Sequence, residues 1–193
     1  MSTTILSFRR LAFCALAATS FACGGAETKT KGPGTGPTSL EAAAHGLRIK
    51  APMVVPTHYQ ATLTLDPRQP SFQGEAAIRL EVKAPSQAFY LNGHGLSVAS
   101  ATLQVGEEKL PLEVTKEDDN WLLFRAAAPF DAKAAVLHLV YEGKIDDQSS
   151  FGIFRQQAAG EWYVFTQFEA RGARRAVPSL DQPNYKVPWK LSL

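Results

Sequence analysis

The chain has 193 residues, 45% of them hydrophobic and 20% charged, which is the composition of an ordinary globular protein of one or at most two domains. The net charge is +2 and falls to zero without the first 22 residues, which hold Arg9, Arg10 and no acid. No basic stripe exists of the kind that phosphate neutralisation needs, so nucleic acid is excluded as a partner. The four histidines, His45, His58, His94 and His138, include no pair at the spacing of a helical zinc site, so the chain alone cannot be a zinc hydrolase.

Arg9 and Arg10 followed by the apolar run Leu11 to Ala22 have the basic and apolar regions of a secretory signal. Twelve residues are too few for a permanent membrane-spanning helix, which needs about 20. We therefore expect residues 1–22 to be a signal peptide and the protein to be exported, in a bacterial cell envelope. Ser20-Phe21-Ala22-Cys23 matches a bacterial lipobox at its last two positions, with Ser in place of the usual Leu, and lipidation of Cys23 is the expectation. Cleavage after Ala22 by an ordinary signal peptidase is the alternative and would leave a free thiol. If Cys14 leaves with the signal and Cys23 takes lipid, none remains for a disulfide. Residues 24–39 contain five Gly, two Pro and four Thr, so residues 23–39 read as a lipidated Cys and a tether. Extended at ~3.3 Å per residue, the tether would reach roughly 50 Å from a membrane surface.

The remainder, 40–193, reads as an all-β domain: an antiparallel sandwich or saddle of about 8–10 short strands. Tyr59, Ala61, Leu63 and Leu65 alternate with polar residues, then Asp66-Pro67 to Gln69-Pro70 turns the chain into a second alternating run, Phe72 to Val82. Further strands are predicted at Gln87–Leu91, Leu96–Val105, Leu110–Thr115, Trp121–Arg125, Val136–Tyr141, Phe151–Arg155, Trp162–Phe168 and Lys186–Leu193. Helical character is confined to Glu41–His45 and Ala170–Ala176. The last strand, with Trp189, Leu191 and Leu193 on one face, has no evident partner and should present an open edge, and we expect further chain to follow it. Ser149, Ser150 and Ser179 have no His and Asp in a recognisable arrangement, so nucleophilic catalysis has no support. His58 and His138 read as packing or hydrogen-bonding residues.

Three segments in order carry a resemblance. The first is VVPTHYQATLTLDP with FQGEAAIRLEV, Val54 to Val82. The second runs from LHLVYEGKI to FGIFR, Leu137 to Arg155. The third is TQFEARGARRAVPSLDQPNYKVPWKLSL, Thr166 to Leu193. Together they resemble the N-terminal domain of the aminopeptidase N family of zinc metallopeptidases, whose pattern runs Thr-Gln-Phe-Glu, then Ala-Arg-Arg-x-Phe-Pro-Cys-x-Asp-Glu-Pro. Departures are Val177 for Phe, Ser179 for Cys and Gln182 for Glu.

The resemblance implies that Glu169 anchors the free α-amino group of a peptide substrate by a charge-assisted hydrogen bond, and that Gln167, two residues earlier and expected on the same strand face, contacts the first substrate residue. Arg174 and Asp181 are expected to pair across a turn and fix loop geometry, with Pro178, Pro183 and Pro188 keeping that loop out of helix. The family's Gly-Ala-Met-Glu-Asn strand, H-E-x-x-H helix and distant glutamate ligand do not occur in the sequence. No cofactor is expected in this chain, zinc belonging to a catalytic domain beyond Leu193. The resemblance thus implies an exported β-domain of a zinc aminopeptidase, inactive alone, that supplies the amine anchor and one wall of the cleft. The competing expectation is a stand-alone, non-catalytic β-sandwich lipoprotein that binds or scaffolds.

Overall fold

A computed structural model describes residues 52–193. The signal-like segment, Cys23, the tether and the Glu41–His45 segment lie outside these residues. Ten strands follow in chain order: β1 Val54–Thr64, β2 Ser71–Val82, β3 Ser86–Asn92, β4 Leu96–Val105, β5 Glu108–Lys116, β6 Trp121–Phe130, β7 Ala134–Lys144, β8 Gly152–Ala158, β9 Glu161–Gln167 and β10 Trp189–Ser192. Among the described residues, no helix is long and apolar enough to cross a membrane.

Strict alternation produces this architecture. β2 buries Phe72, Gly74, Ala76, Ile78, Leu80 and Val82 and exposes most of the residues between them, as a pleated strand with one face on a core must. Its antiparallel partners β1 and β7 repeat the pattern in register, so that Ala61, Ala76 and Leu139 form one row across the sheet. Eight strands form a single curled sheet in the order β10-β1-β2-β7-β4-β5-β6-β3, and β8 with β9 makes a separate two-stranded sheet. One buried cluster runs from Ile78, Leu103 and Leu137 to Phe89, Leu91 and Phe124, and Ala176, Val177 and Leu180 of the last long loop join it. Each large aliphatic side chain buried here contributes about 1.5–3 kcal/mol relative to exposure. Gly74 is required where it stands, because a Cβ there would run into the ring of Tyr141 on the neighbouring strand.

The chain's last segments differ from the sequence reading. β10 has a partner: it lies parallel to β1, Tyr59 opposite Trp189, at the edge of the eight-stranded sheet. It starts at Trp189 instead of Lys186, since Pro188 has no N–H for the ladder and only accepts, from the Tyr59 N–H at 3.0 Å. All four of its residues are exposed, and Trp189, Leu191 and Leu193 remain open to solvent as expected of an edge. The predicted helical stretch Ala170–Ala176 shrinks to one 3-10 turn, Ala173–Arg175, hemmed in by Gly172 and Pro178.

Candidate functional site

The loop between β9 and β10 carries the residues singled out by the sequence. Tyr163, Phe165 and Gln167 are exposed and alternate along β9 with the half-buried Trp162 and Val164. Glu169 lies beyond the end of β9, which corrects the expectation that it shares a strand face with Gln167. The two are joined differently: the Glu169 main-chain N–H donates to Gln167 Oε1 at 3.1 Å. The Glu169–Ala170 peptide is cis, and the turn closes when the Gly172 N–H donates to the Phe168 carbonyl at 2.7 Å. A Cβ on Gly172 would stand 2.6 Å from the Gln167 carbonyl oxygen, so only glycine lets the chain fold back this tightly. Glu169 is thereby left with an exposed carboxylate at the tip of a tight turn.

Behind that turn sits a buried ion pair. Arg174 is 3% exposed; its Nε donates to Asp181 Oδ2 at 2.9 Å and its terminal nitrogen to the Asp181 carbonyl at 3.0 Å. The Arg174 main-chain N–H also donates to Asp181 Oδ2, at 3.3 Å. The pair is therefore a clasp of three hydrogen bonds across seven residues. Arg175 stacks its guanidinium over Phe151 at 5.2 Å, and Arg171 is exposed, so the three arginines do not converge on an anion.

Two residues that sequence reasoning assigned no part in this loop hold it to the sheet. Asn92, fully buried at the end of β3, pairs main chain to main chain with Ser179 at 2.7 and 2.9 Å. Its Oδ1 accepts from the Asp181 N–H at 3.1 Å, and its Nδ2 donates to the Asn120 carbonyl at 3.4 Å. Tyr59 of β1 accepts the Leu180 N–H on its hydroxyl at 2.9 Å and stacks on Trp189 with ring centroids 4.0 Å apart. Burial pushes the Tyr59 hydroxyl well above the usual phenol range, so it stays protonated and can also donate. The available signal for Asn92 was a polar residue closing the apolar run Phe89-Tyr90-Leu91.

An apolar groove of about 930 Å³ opens beside the loop, lined among others by Tyr59, Leu63, Val164, Phe168, Trp189 and Leu191. The Ser179 hydroxyl and the Gln182 side-chain nitrogen, at two of the positions departing from the resembled pattern, are buried without a hydrogen-bond partner. Elsewhere His138 Nε2 stands 3.2 Å from Gln104 Oε1, a surface polar contact. Among the described residues no group of three or more His, Cys, Asp or Glu side chains could hold a metal ion. The donor set does not fit zinc, and the metal of a zinc peptidase would belong to a catalytic domain.

The family model and the solved structures place this curled, antiparallel-rich sheet with the amino-terminal modules of M1 metallopeptidases. Residues 55–193 match the Peptidase M1 N-terminal domain, and the chain belongs to that family. It is 32% identical over 162 residues to Aminopeptidase M1-D of Oryza sativa subsp. japonica, covering 80% of this chain and 18% of that one. It is 28% identical over 146 residues to the puromycin-sensitive aminopeptidase of Caenorhabditis elegans, covering 72% of this chain and 15% of that one. The fold also matches an M1 zinc metallopeptidase from Deinococcus radiodurans, solved as a mutant bound to a Tyr-Ser-Ala substrate. There the TM-score is 0.54 and the identity 21%, with 72% of this chain and 32% of the other covered. The chain thus spans less than a fifth of the curated relatives named here and about a third of that structure.

Proposed function

We propose that this chain contributes the substrate-amine anchor and one wall of the active-site cleft to a zinc aminopeptidase, with Glu169 as the anchor and Gln167 beside it. The observation that carries the reading is the exposed Glu169 carboxylate on a turn closed by Gln167 Oε1 and backed by the buried Arg174–Asp181 pair. An exopeptidase must recognise a chain terminus, and a fixed carboxylate does so by a charge-assisted hydrogen bond to the ammonium. Tyr163 and Phe165, on the strand face that carries Gln167, give that wall an apolar flank; they are 47% and 46% exposed. We further infer export and attachment to a bacterial envelope membrane through lipid on Cys23, supported by the basic and apolar segments before it and the Gly-rich tether behind it.

The test is a titration of the full chain, followed by NMR, with Tyr-Ser-Ala and with its N-acetylated form. Only the free amine should move the Glu169 and Gln167 signals. A hydrogen bond to a charged group contributes about 1.5–3 kcal/mol, so Glu169→Gln should weaken binding roughly 10- to 100-fold. Equal response to both peptides would overturn the assignment.

A further inference from the structure

We propose that Asn92 is the positioning residue for the Glu169 turn, acting from the end of β3 through Asp181 and Arg174; the proposal rests on the reading of Glu169 as the amine anchor. Asn92 is wholly buried although its side chain is polar. What only an asparagine supplies here is one acceptor and one donor on the same planar group. The acceptor, Oδ1, takes the Asp181 N–H and sets where the Asp181 carboxylate stands. That carboxylate accepts from both the side chain and the main chain of Arg174. The Arg174 carbonyl in turn accepts from the His94 N–H at 2.9 Å, two residues past Asn92, so the loop is gripped by the β3 end at both its 3-10 turn and its Ser179–Asp181 stretch.

The donor, Nδ2, ties the same group to the Asn120 carbonyl before β6, which keeps the amide plane from rotating. From Arg174 the 3-10 turn leads back to Gly172, whose N–H closes the Phe168–Gly172 turn that presents Glu169. The placement of Glu169 is therefore referred to the β3–β6 pair, which belongs to the eight-stranded sheet, as well as to the separate two-stranded β8–β9 hairpin from which the loop departs.

Hydrogen exchange and amide NMR on the full 193-residue chain test this. Asn92→Ala removes the acceptor: the Gly172, Arg175, Ala176 and Val177 amides should exchange at least about tenfold faster, and the Glu169 amide signal should shift, while amides of β2 and β7 stay within about twofold. Asn92→Asp keeps an oxygen in place for the Asp181 N–H but gives up the donor to the Asn120 carbonyl, so loop protection should recover only in part, to between that of Asn92→Ala and that of the parent. Uniform acceleration of all amides in a folded Asn92→Ala would make Asn92 an ordinary stabilising residue and overturn the proposal, as would an unchanged loop. Should Asn92→Ala fail to fold, Asn92→Asp decides alone: faster exchange confined to the loop, with amides of β2 and β7 within about twofold, supports the proposal, and uniform acceleration or an unchanged loop overturns it. Peptide titration of the parent chain tests the anchor separately. A loop that loosens in Asn92→Ala, in a parent that ignores the free amine, would leave the positioning intact and remove the anchor.

Discussion

Deleting the carboxylate of Asp181 is the most informative perturbation of the loop's stability. Arg174 and Asp181 side chains are only 4% and 14% exposed, so the pair lies in the regime where removing one partner strands a charge rather than returning it to water. Asp181→Ala abolishes the bonds from Arg174 Nε and from its main-chain N–H, and leaves only the bond from the guanidinium to the main-chain carbonyl at position 181. Breaking a buried pair in this way costs about 3–5 kcal/mol. With about 140 described residues at ~2.1 cal/mol/K each, the unfolding entropy is roughly 0.3 kcal/mol/K, and Tm should fall by about 10–17 °C. Thermal and urea unfolding followed by circular dichroism measure the loss. The double variant Arg174→Met with Asp181→Leu should recover most of it, because two apolar side chains carry no desolvation penalty. A loss below about 1 kcal/mol for Asp181→Ala, or a double variant as unstable as the sum of the singles, would place the pair among weak surface ion pairs and refute the reasoning.

Gly74→Ala should destabilise the sheet by about 1–3 kcal/mol by overpacking against Tyr141, as read from urea midpoints, whereas Gly106→Ala, where a Cβ would meet nothing, should cost about 1–2 kcal/mol through its positive φ alone. Hydrogen bonds from the Gln148 N–H and the Ser149 hydroxyl hold the Asp146 carboxyl below the usual carboxylate range, so its contribution is present above about pH 4 and lost as pH falls through its folded value; exchange of the 145–151 loop should accelerate there. Replacing Cys23→Ser should move the protein from the membrane fraction to the soluble exported fraction, and equal distribution of both forms would rule out the lipid.

The strands were legible because burial on one face writes a period of two into the sequence, as in Phe72 to Val82, and their ends were blurred where bulges break that period. One such break falls between Pro56 and His58, ahead of the Tyr59 at which the alternation sets in, whereas β4 keeps its expected bounds despite a break between Val98 and Ser100. The order β10-β1-β2-β7-β4-β5-β6-β3 was not legible, since neighbours such as β2 and β7 are brought together by residues some sixty positions apart and alternation does not name a partner. The parallel docking of β10 was hidden for the same reason. At the candidate site the Thr166–Leu193 segment pointed to Gln167, Glu169, Arg174 and Asp181, but simple strand geometry misplaced Glu169 because a turn begins at Phe168. Asn92 left almost no trace, being one amide at the end of an apolar run whose importance depends on a loop almost ninety residues later.

The loop from Phe168 to Pro188 has no strand and a single 3-10 turn, which is unusual for a connection of about twenty residues in a compact domain. Such a segment stays ordered only if its backbone polar groups find partners and some of its side chains reach the core. Here Ala176, Val177 and Leu180 reach the core, and Asn92, Tyr59 and Asp181 satisfy the main chain at Ser179, Leu180, Asp181 and Arg174. If connecting β9 to β10 were all the loop did, a shorter and more exposed link would serve and would need none of these buried polar contacts. Buried polar groups are costly unless matched, and although the Ser179 hydroxyl and the Gln182 side-chain nitrogen are not, the matched main-chain groups and the Arg174–Asp181 pair tie the loop to the sheet beneath the turn. The turn exposes Glu169, and under the proposed function a loop anchored in this way would hold its carboxylate where a peptide's terminal ammonium could be recognised.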